Sequence, residues 1–138
     1  MPRYVLLRHE CPDDYRDGPH WDLMLEDRAS QTLCTWSLLE LPSAWRVGDL
    51  SGGGAAVAAE RLPDHRLRYL DYEGGISGGR GRVERVAAGT FEGDPTLGDP
   101  TLGDPVTIEA AGDLAGAWRL EHRAGATWRL EAWPPATG

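Results

Sequence analysis

Two histidines and an aspartate near the N-terminus have the types and the spacing that suit a divalent metal ion. His20 and Asp22 stand two residues apart in an apolar run, and side chains two apart on an extended strand point to the same face. His9 ends the preceding apolar run, so it supplies a third ligand if the two strands pair. Two imidazoles and a carboxylate suit manganese, iron or zinc, and the donors alone do not choose among them. The alternative is that His20 and Asp22 lie on a solvated strand face and that His9 merely ends a strand.

A second group of chemically active residues lies in a locally basic segment. Residues 61–85 contain six Arg and four acidic residues, a local excess of positive charge in a chain whose formal charge is −8. His65 could donate a proton to a leaving oxygen, and Tyr69 could hydrogen-bond a phosphate. The guanidinium groups of Arg66 and Arg68 could hold the charge of that phosphate. The alternative is a loop of solvated arginines in which the tyrosines only pack.

About eight short strands are predicted to position these residues. Apolar runs alternate with polar residues and are separated by turns rich in Gly and Pro. Such a pattern predicts an all-β protein, a single closed or partly open β-barrel with few short helices, because closure removes exposed strand edges. Three tryptophans near the C-terminus fit its core or rim: Trp118, Trp128 and Trp133. The predicted strands are residues 3–9, 20–26, 32–39, 55–62, 82–88, 106–110, 117–122 and 127–133.

The bulk properties predict one domain over residues 1–138, because 138 residues can bury a single core. Within it, the repeated Gly-Asp-Pro-Thr-Leu of residues 93–105 predicts a surface loop lengthened by duplication.

The negative charge opposes sequence-independent attraction to nucleic acid, so any such contact must be local. Cys11 and Cys34 are read as reduced structural thiols. The short N-terminal apolar run resembles neither a signal peptide nor a membrane span, so a cytoplasmic location without membrane association is expected.

Several motifs recur in an order that matches a known family. They are a strand ending in a basic residue and His, a His-x-Asp-x-x-x-Glu strand, a Trp in the next strand, an Asp-His segment followed by Tyr and Asp-aromatic-Glu-Gly, a Gly-Thr-aromatic element, and a closing Gly-x-Trp-x-Leu with a final Trp strand. In the sequence these are Arg8-His9, His20 to Glu26, Trp36, Asp64-His65, Tyr69, Asp71 to Gly74, Gly89 to Phe91, Gly116 to Leu120 and Trp128. From Tyr4 to about Trp133 the chain resembles the 3′-phosphoesterase domain that accompanies the bacterial end-joining DNA ligase, ligase D, and that also occurs alone.

The resemblance implies a β-barrel with a manganese ion held by His9, His20 and Asp22. It implies that His65 and Tyr69 engage the scissile phosphate. The expected reaction is metal-dependent removal of a 3′-phosphate or a 3′-ribonucleotide from DNA ends during repair, with an end-joining ligase or polymerase as a partner in trans. The residues predicted to bind phosphate or nucleic acid are Arg8, Arg66 and Arg68.

The sequence also departs from the family pattern. Met24 stands where the family has a phosphate-binding Arg, and Glu40 falls near a family Lys. A thioether cannot make a charge-assisted hydrogen bond, so activity is expected to be reduced or directed to a smaller phosphoester. One alternative is a non-catalytic barrel that binds metal, DNA ends or a repair protein. Another is a cupin-like metal barrel, although the closely clustered histidines of that class are missing from the sequence.

Overall fold

The computed structural model describes residues 1–11, 18–45, 54–76, 80–97 and 104–134. These residues contain nine β-strands and two 3₁₀ turns, Leu67–Leu70 and Pro95–Leu97. The strands are β1 Arg3–Glu10, β2 His20–Asp27, β3 Thr32–Leu38, β4 Ala56–Arg66, β5 Gly74–Gly75, β6 Arg82–Glu92, β7 Val106–Ala110, β8 Gly116–Ala124 and β9 Thr127–Trp133.

The strands close into an antiparallel barrel. Their order is β1-β2-β3-β4-β9-β8-β7-β6-β5, and β1 also pairs with β6. This last pairing closes a ring of eight strands and leaves β5 outside it, on the edge of β6. Closure gives each barrel strand a neighbouring strand on both sides. The predicted all-β barrel is confirmed.

The eight predicted strands are all present, and the main difference is that β4 and β6 are longer than expected. The β3–β4 register shifts between Leu33 and Thr35, so two residues of β4 stand opposite one residue of β3. Pro63 falls in this bulge, where the ladder does not require the amide hydrogen that proline lacks. The strand therefore continues past Pro63 and brings His65 opposite Leu33.

Side chains on the two faces of the wall form separate clusters. The main core includes Leu6, Trp21 and Leu23, so alternate residues of β1 and β2 point into it. The opposite face of the same strands is also covered, by the 3₁₀ turn Leu67–Leu70 and the residues that follow it. That outer cluster consists of Val5, Leu7, Met24, Leu33, Leu70 and Val83. The expected alternation in β2 is present, but its polar face is buried rather than solvated.

Aromatic rings fill the barrel interior. Tyr4 meets Trp118 edge-on at 4.9 Å between ring centroids, and Trp36 meets Trp128 in the same way at 5.7 Å. Such pairs add specific geometry to the apolar area they bury. Trp118 and Trp128 are core residues, whereas Trp133 is 42% exposed at the rim.

Part of the predicted repeat loop, residues 98–103, lies outside the described residues. Its beginning forms the 3₁₀ turn Pro95–Leu97. Among the residues that the structure describes, no helix has the length and apolarity needed to cross a membrane.

Candidate functional site

The β1–β2 ladder brings the three predicted metal ligands together. His9 pairs directly with His20, and Asp22 stands one same-face position further along β2. His9 Nδ1 lies 3.7 Å from Asp22 Oδ2, and His20 Nε2 lies 3.2 Å from Asp22 Oδ1. The three residues are only 5%, 2% and 4% exposed. They therefore form a buried polar cluster on the outer face of the barrel wall, and they are not part of a solvated surface.

Backbone carbonyls fix the orientation of both imidazole rings. His9 Nε2 donates to the carbonyl oxygen of Arg80 at 2.6 Å, and His20 Nδ1 donates to that of Gly18 at 2.8 Å. A carbonyl can only accept, so in a neutral ring the proton sits on these nitrogens and the other nitrogen carries a lone pair. Histidines that bind metals are commonly held in this way by a second hydrogen bond. The second nitrogens of the two rings, His9 Nδ1 and His20 Nε2, are the atoms that face Asp22.

The carboxylate of Asp22 makes the cluster favourable for a cation. Burial alone would raise the pKa of Asp22, but its interactions with His20 and His9 outweigh burial and hold the pKa at about 2. The carboxylate is therefore ionised at neutral pH. Its buried Oδ1 has no hydrogen-bond donor with suitable geometry among the described residues. Two lone pairs facing a buried anion require positive charge between them, either protons on the rings or a metal ion.

Cys11 extends the cluster on the other side of the histidine pair. One donor atom from each of His9, Cys11 and His20 lies within 4.8 Å of the other two. The Cys11 thiol donates to the carbonyl oxygen of Gly18 at 3.1 Å. This His–Cys–His group could bind a metal. From the sequence, Cys11 is interpreted as a structural thiol only, so its position beside the two histidines is not predicted.

The predicted catalytic residues lie beside the ligand cluster. A narrow cavity of about 100 Å³ is lined by His9, Asp22, His65 and Tyr69. His65 and Tyr69 also line an outer pocket of about 540 Å³, so the two spaces adjoin. The β4 bulge aims His65 at this place, and its Nδ1 donates to the Pro63 carbonyl at 2.9 Å. The other nitrogen of His65 remains available to a molecule in the pocket.

Arginines line the outer pocket. Arg66, Arg68 and Arg80 are exposed there, and the one acidic lining residue, Asp64, is paired with Arg61 at 3.0 Å. The Arg68 guanidinium lies over the ring of Tyr72 at 4.7 Å, which limits its orientations. Within the described part of the chain, Arg66 and Arg68 form no ion pair, so the pocket has cationic groups for an anion.

Other predicted positions have different surroundings. The side chain of Arg8 bonds Glu10 at 2.8 Å and lies over the ring of Trp21 at 4.3 Å, and Arg8 is not among the residues that line either cavity. The structure thus does not bring Arg8 to the site. Met24, 1% exposed, lines the inner cavity beside Asp22 and presents an apolar thioether there.

Sequence reasoning missed two contributors, Cys11 and Arg80. Cys11 lies two residues after His9, so strand alternation past the end of β1 could have placed it on the same face. Arg80 belongs to a glycine-dense segment with no periodic signal, and its carbonyl reaches His9 through the pairing of distant strands. No family model matches the chain, and no curated protein matches it significantly.

Proposed function

We propose that this protein is a divalent-metal-dependent phosphoesterase that removes a 3′-phosphate or a 3′-ribonucleotide from DNA ends. The observation that carries the proposal is the convergence of His9, His20 and Asp22 beside a cavity shared with His65 and Tyr69. The resemblance of the sequence to the ligase D phosphoesterase domain supports the same reaction and favours manganese. The donor set is also compatible with zinc or iron.

Each side chain has a role that suits its position. A bound divalent ion would polarise a phosphoryl oxygen and stabilise the charge that develops on it as a water molecule attacks the phosphorus and the bond to the leaving oxygen breaks. His65, with Nδ1 held by the Pro63 carbonyl, would deliver the proton on its other nitrogen to the leaving oxygen. The Tyr69 hydroxyl would donate a hydrogen bond to a phosphoryl oxygen, and Arg66 and Arg68 would hold the rest of the DNA end.

The volumes of the inner cavity and the outer pocket are consistent with the end of a DNA chain as the substrate. The inner cavity of about 100 Å³ has room for little more than a terminal phosphate, whereas the outer pocket of about 540 Å³ can hold the attached nucleotide. A chain of formal charge −8 repels a long duplex except at such a local basic pocket. The product would be a 3′-hydroxyl end, which an end-joining ligase or polymerase acting in trans in the cytoplasm can use.

The decisive experiment measures phosphate release from a DNA primer with a 3′-phosphate, in the presence of manganese, zinc or iron. Wild-type protein should release phosphate with at least one metal, and a chelator should stop the reaction. Asp22→Asn should abolish turnover, whereas Asp104→Asn, at an exposed position, should leave it unchanged. Absence of release by wild type at high enzyme concentration with every metal would exclude the enzymatic proposal.

A second candidate function is a non-catalytic module that binds metal and DNA ends. Met24 is the observation that favours it, because a thioether lines the inner cavity at the position where the resemblance would place an arginine. This function predicts saturable binding of 3′-phosphorylated DNA without phosphate release. Binding would weaken in Arg66→Ala and Arg68→Ala, and it would change little in His20→Ala.

A further inference from the structure

Cys11 occupies the next same-face position beyond the His9–His20 pair. Along β1 and β2, Leu7 pairs with Asp22 and His9 pairs with His20, and Cys11 follows His9 by two residues. Asp22 and Cys11 therefore flank the histidine pair from opposite sides. The donor atoms of Cys11 and the two histidines lie within 4.8 Å of one another.

We propose that Cys11 is a thiolate ligand of the metal centre and that it makes the centre selective for zinc over manganese. The inference rests on the metal centre of the proposed function and adds a sulfur donor to its two histidines. His9, Cys11 and His20 then supply two nitrogens and one sulfur, which leaves a fourth position of a tetrahedral ion open.

The backbone around Cys11 holds its sulfur next to the histidines. The carbonyl oxygen of Gly18 accepts from Cys11 Sγ at 3.1 Å and from His20 Nδ1 at 2.8 Å, so one group positions both side chains. On the other side, Gly81 has φ of +85°, and a Cβ there would lie 2.7 Å from Cys11 Cα. Glycine thus lets the 80–81 backbone approach Cys11 while the Arg80 carbonyl orients His9.

The distances require only a local adjustment. Zinc binds sulfur at about 2.3 Å and nitrogen at about 2.1 Å, so in a tetrahedral site a sulfur and a nitrogen ligand lie about 3.6 Å apart. The donor atoms of His9, Cys11 and His20, which lie up to 4.8 Å apart, would therefore have to draw together by about 1 Å around the ion. The thiol proton leaves to solvent as the metal–sulfur bond forms, because the thiolate is the ligand.

Sulfur changes which ion the centre prefers. Manganese favours oxygen donors, whereas a thiolate favours softer ions, and zinc is commonly bound in tetrahedral sites that combine Cys and His. Nitrogen ligands alone already bind zinc more tightly than manganese, and the Cys11 thiolate should increase this difference in affinity. Burial of the two histidines and Asp22 limits access of water to the ion.

Cobalt(II) in the metal-free protein provides a direct readout of sulfur ligation. Wild type and Cys34→Ser should show a thiolate-to-cobalt charge-transfer band in the near ultraviolet, and Cys11→Ser should lack it. In competition calorimetry, Cys11→Ser should reduce the ratio of zinc affinity to manganese affinity by about 10-fold or more. Circular dichroism and thermal unfolding of metal-free Cys11→Ser should match the metal-free wild type, which shows that the fold is retained.

Different results would contradict the sulfur ligand, the metal selectivity and the metal centre itself. Suppose that cobalt binds wild type but not His20→Ala. If the charge-transfer band is then missing from wild type, or persists in Cys11→Ser, the sulfur ligand is excluded while the metal centre stands. An unchanged zinc-to-manganese ratio in Cys11→Ser would likewise overturn the selectivity. If calorimetry detects no binding of cobalt, zinc or manganese to wild type, the metal centre and the sulfur ligand both fall.

Discussion

His9 and His20 face each other across the β1–β2 ladder with their ring centroids 4.7 Å apart. Each ring gives one N–H to a backbone carbonyl and turns its other nitrogen toward Asp22. The pair is therefore oriented before any ion binds, which lowers the entropy that metal binding must remove.

Acid should destabilise the metal-free protein through Asp22. The folded-state pKa of Asp22 is about 2, below the ordinary value of 3.8, so its stabilising contribution is present above about pH 4 and is lost as the pH falls through about 2. Between about pH 5 and pH 1, the wild-type free energy of unfolding should fall by about 2 kcal/mol more than that of Asp22→Asn. Urea unfolding across this range measures the difference, and Asp104→Asn should behave as wild type. Parallel curves for wild type and Asp22→Asn would contradict the assignment.

His65 and Tyr69 should affect turnover without affecting metal affinity. Neither belongs to the ligand cluster, but both line the two cavities. His65→Ala should lower kcat by about 10²- to 10⁴-fold as a lost proton donor, and Tyr69→Phe by about 10- to 100-fold as a lost hydrogen bond to a charged group. Steady-state phosphate release and metal titration give the two readouts. His122→Ala is the matched control, because His122 bonds the Gly125 carbonyl and lines neither cavity.

Arg66 and Arg68 should contribute to DNA binding through phosphate contacts. Each Ala substitution should weaken binding of a 3′-phosphorylated primer and reduce the slope of log affinity against log salt by about 0.7 to 0.9. Fluorescence anisotropy at several salt concentrations measures both effects. Arg123→Ala removes an exposed arginine that lines neither cavity and should leave the slope unchanged. Equal slopes in all variants would show that the outer pocket does not hold phosphate.

The two cysteines should differ in reactivity. Cys34 is 2% exposed and burial raises its pKa to about 11, so at pH 8 only about one molecule in a thousand carries the thiolate that alkylating reagents attack. Cys11 is half-buried and should react first in the metal-free folded protein. Iodoacetamide labelling followed by peptide mass spectrometry distinguishes the sites, and urea should make both reactive. Rapid labelling of Cys34 without urea would contradict its burial.

Tyr4 should stabilise the barrel through its hydroxyl group. The hydroxyl donates to the Ala111 carbonyl at 2.7 Å and accepts from the Leu114 amide at 2.9 Å. Tyr4→Phe leaves a buried amide without that acceptor and should lower the free energy of unfolding by about 1–3 kcal/mol. Denaturant unfolding measures the loss. Tyr69→Phe, whose hydroxyl lies at the pocket, should change stability by much less.

The sequence by itself determined the strands and one face of the site. Strand alternation has a period of two residues, so His20, Asp22 and Met24 had to share a face wherever β2 paired. The turn residues between apolar runs located eight strands, although the bulge at Pro63 hid the last part of β4. The same local logic put His9 at the end of a strand that would pair with β2.

Only the tertiary structure decided what lies around that face. The β1–β6 pairing closes the barrel and delivers the Arg80 carbonyl to His9, while Arg8 alternates to the other face and contacts Trp21 instead. The covering turn Leu67–Leu70 buries residues that the sequence could equally have left in solvent. These contacts join positions far apart in the chain, so they depend on register and closure, whereas alternation depends only on the local backbone.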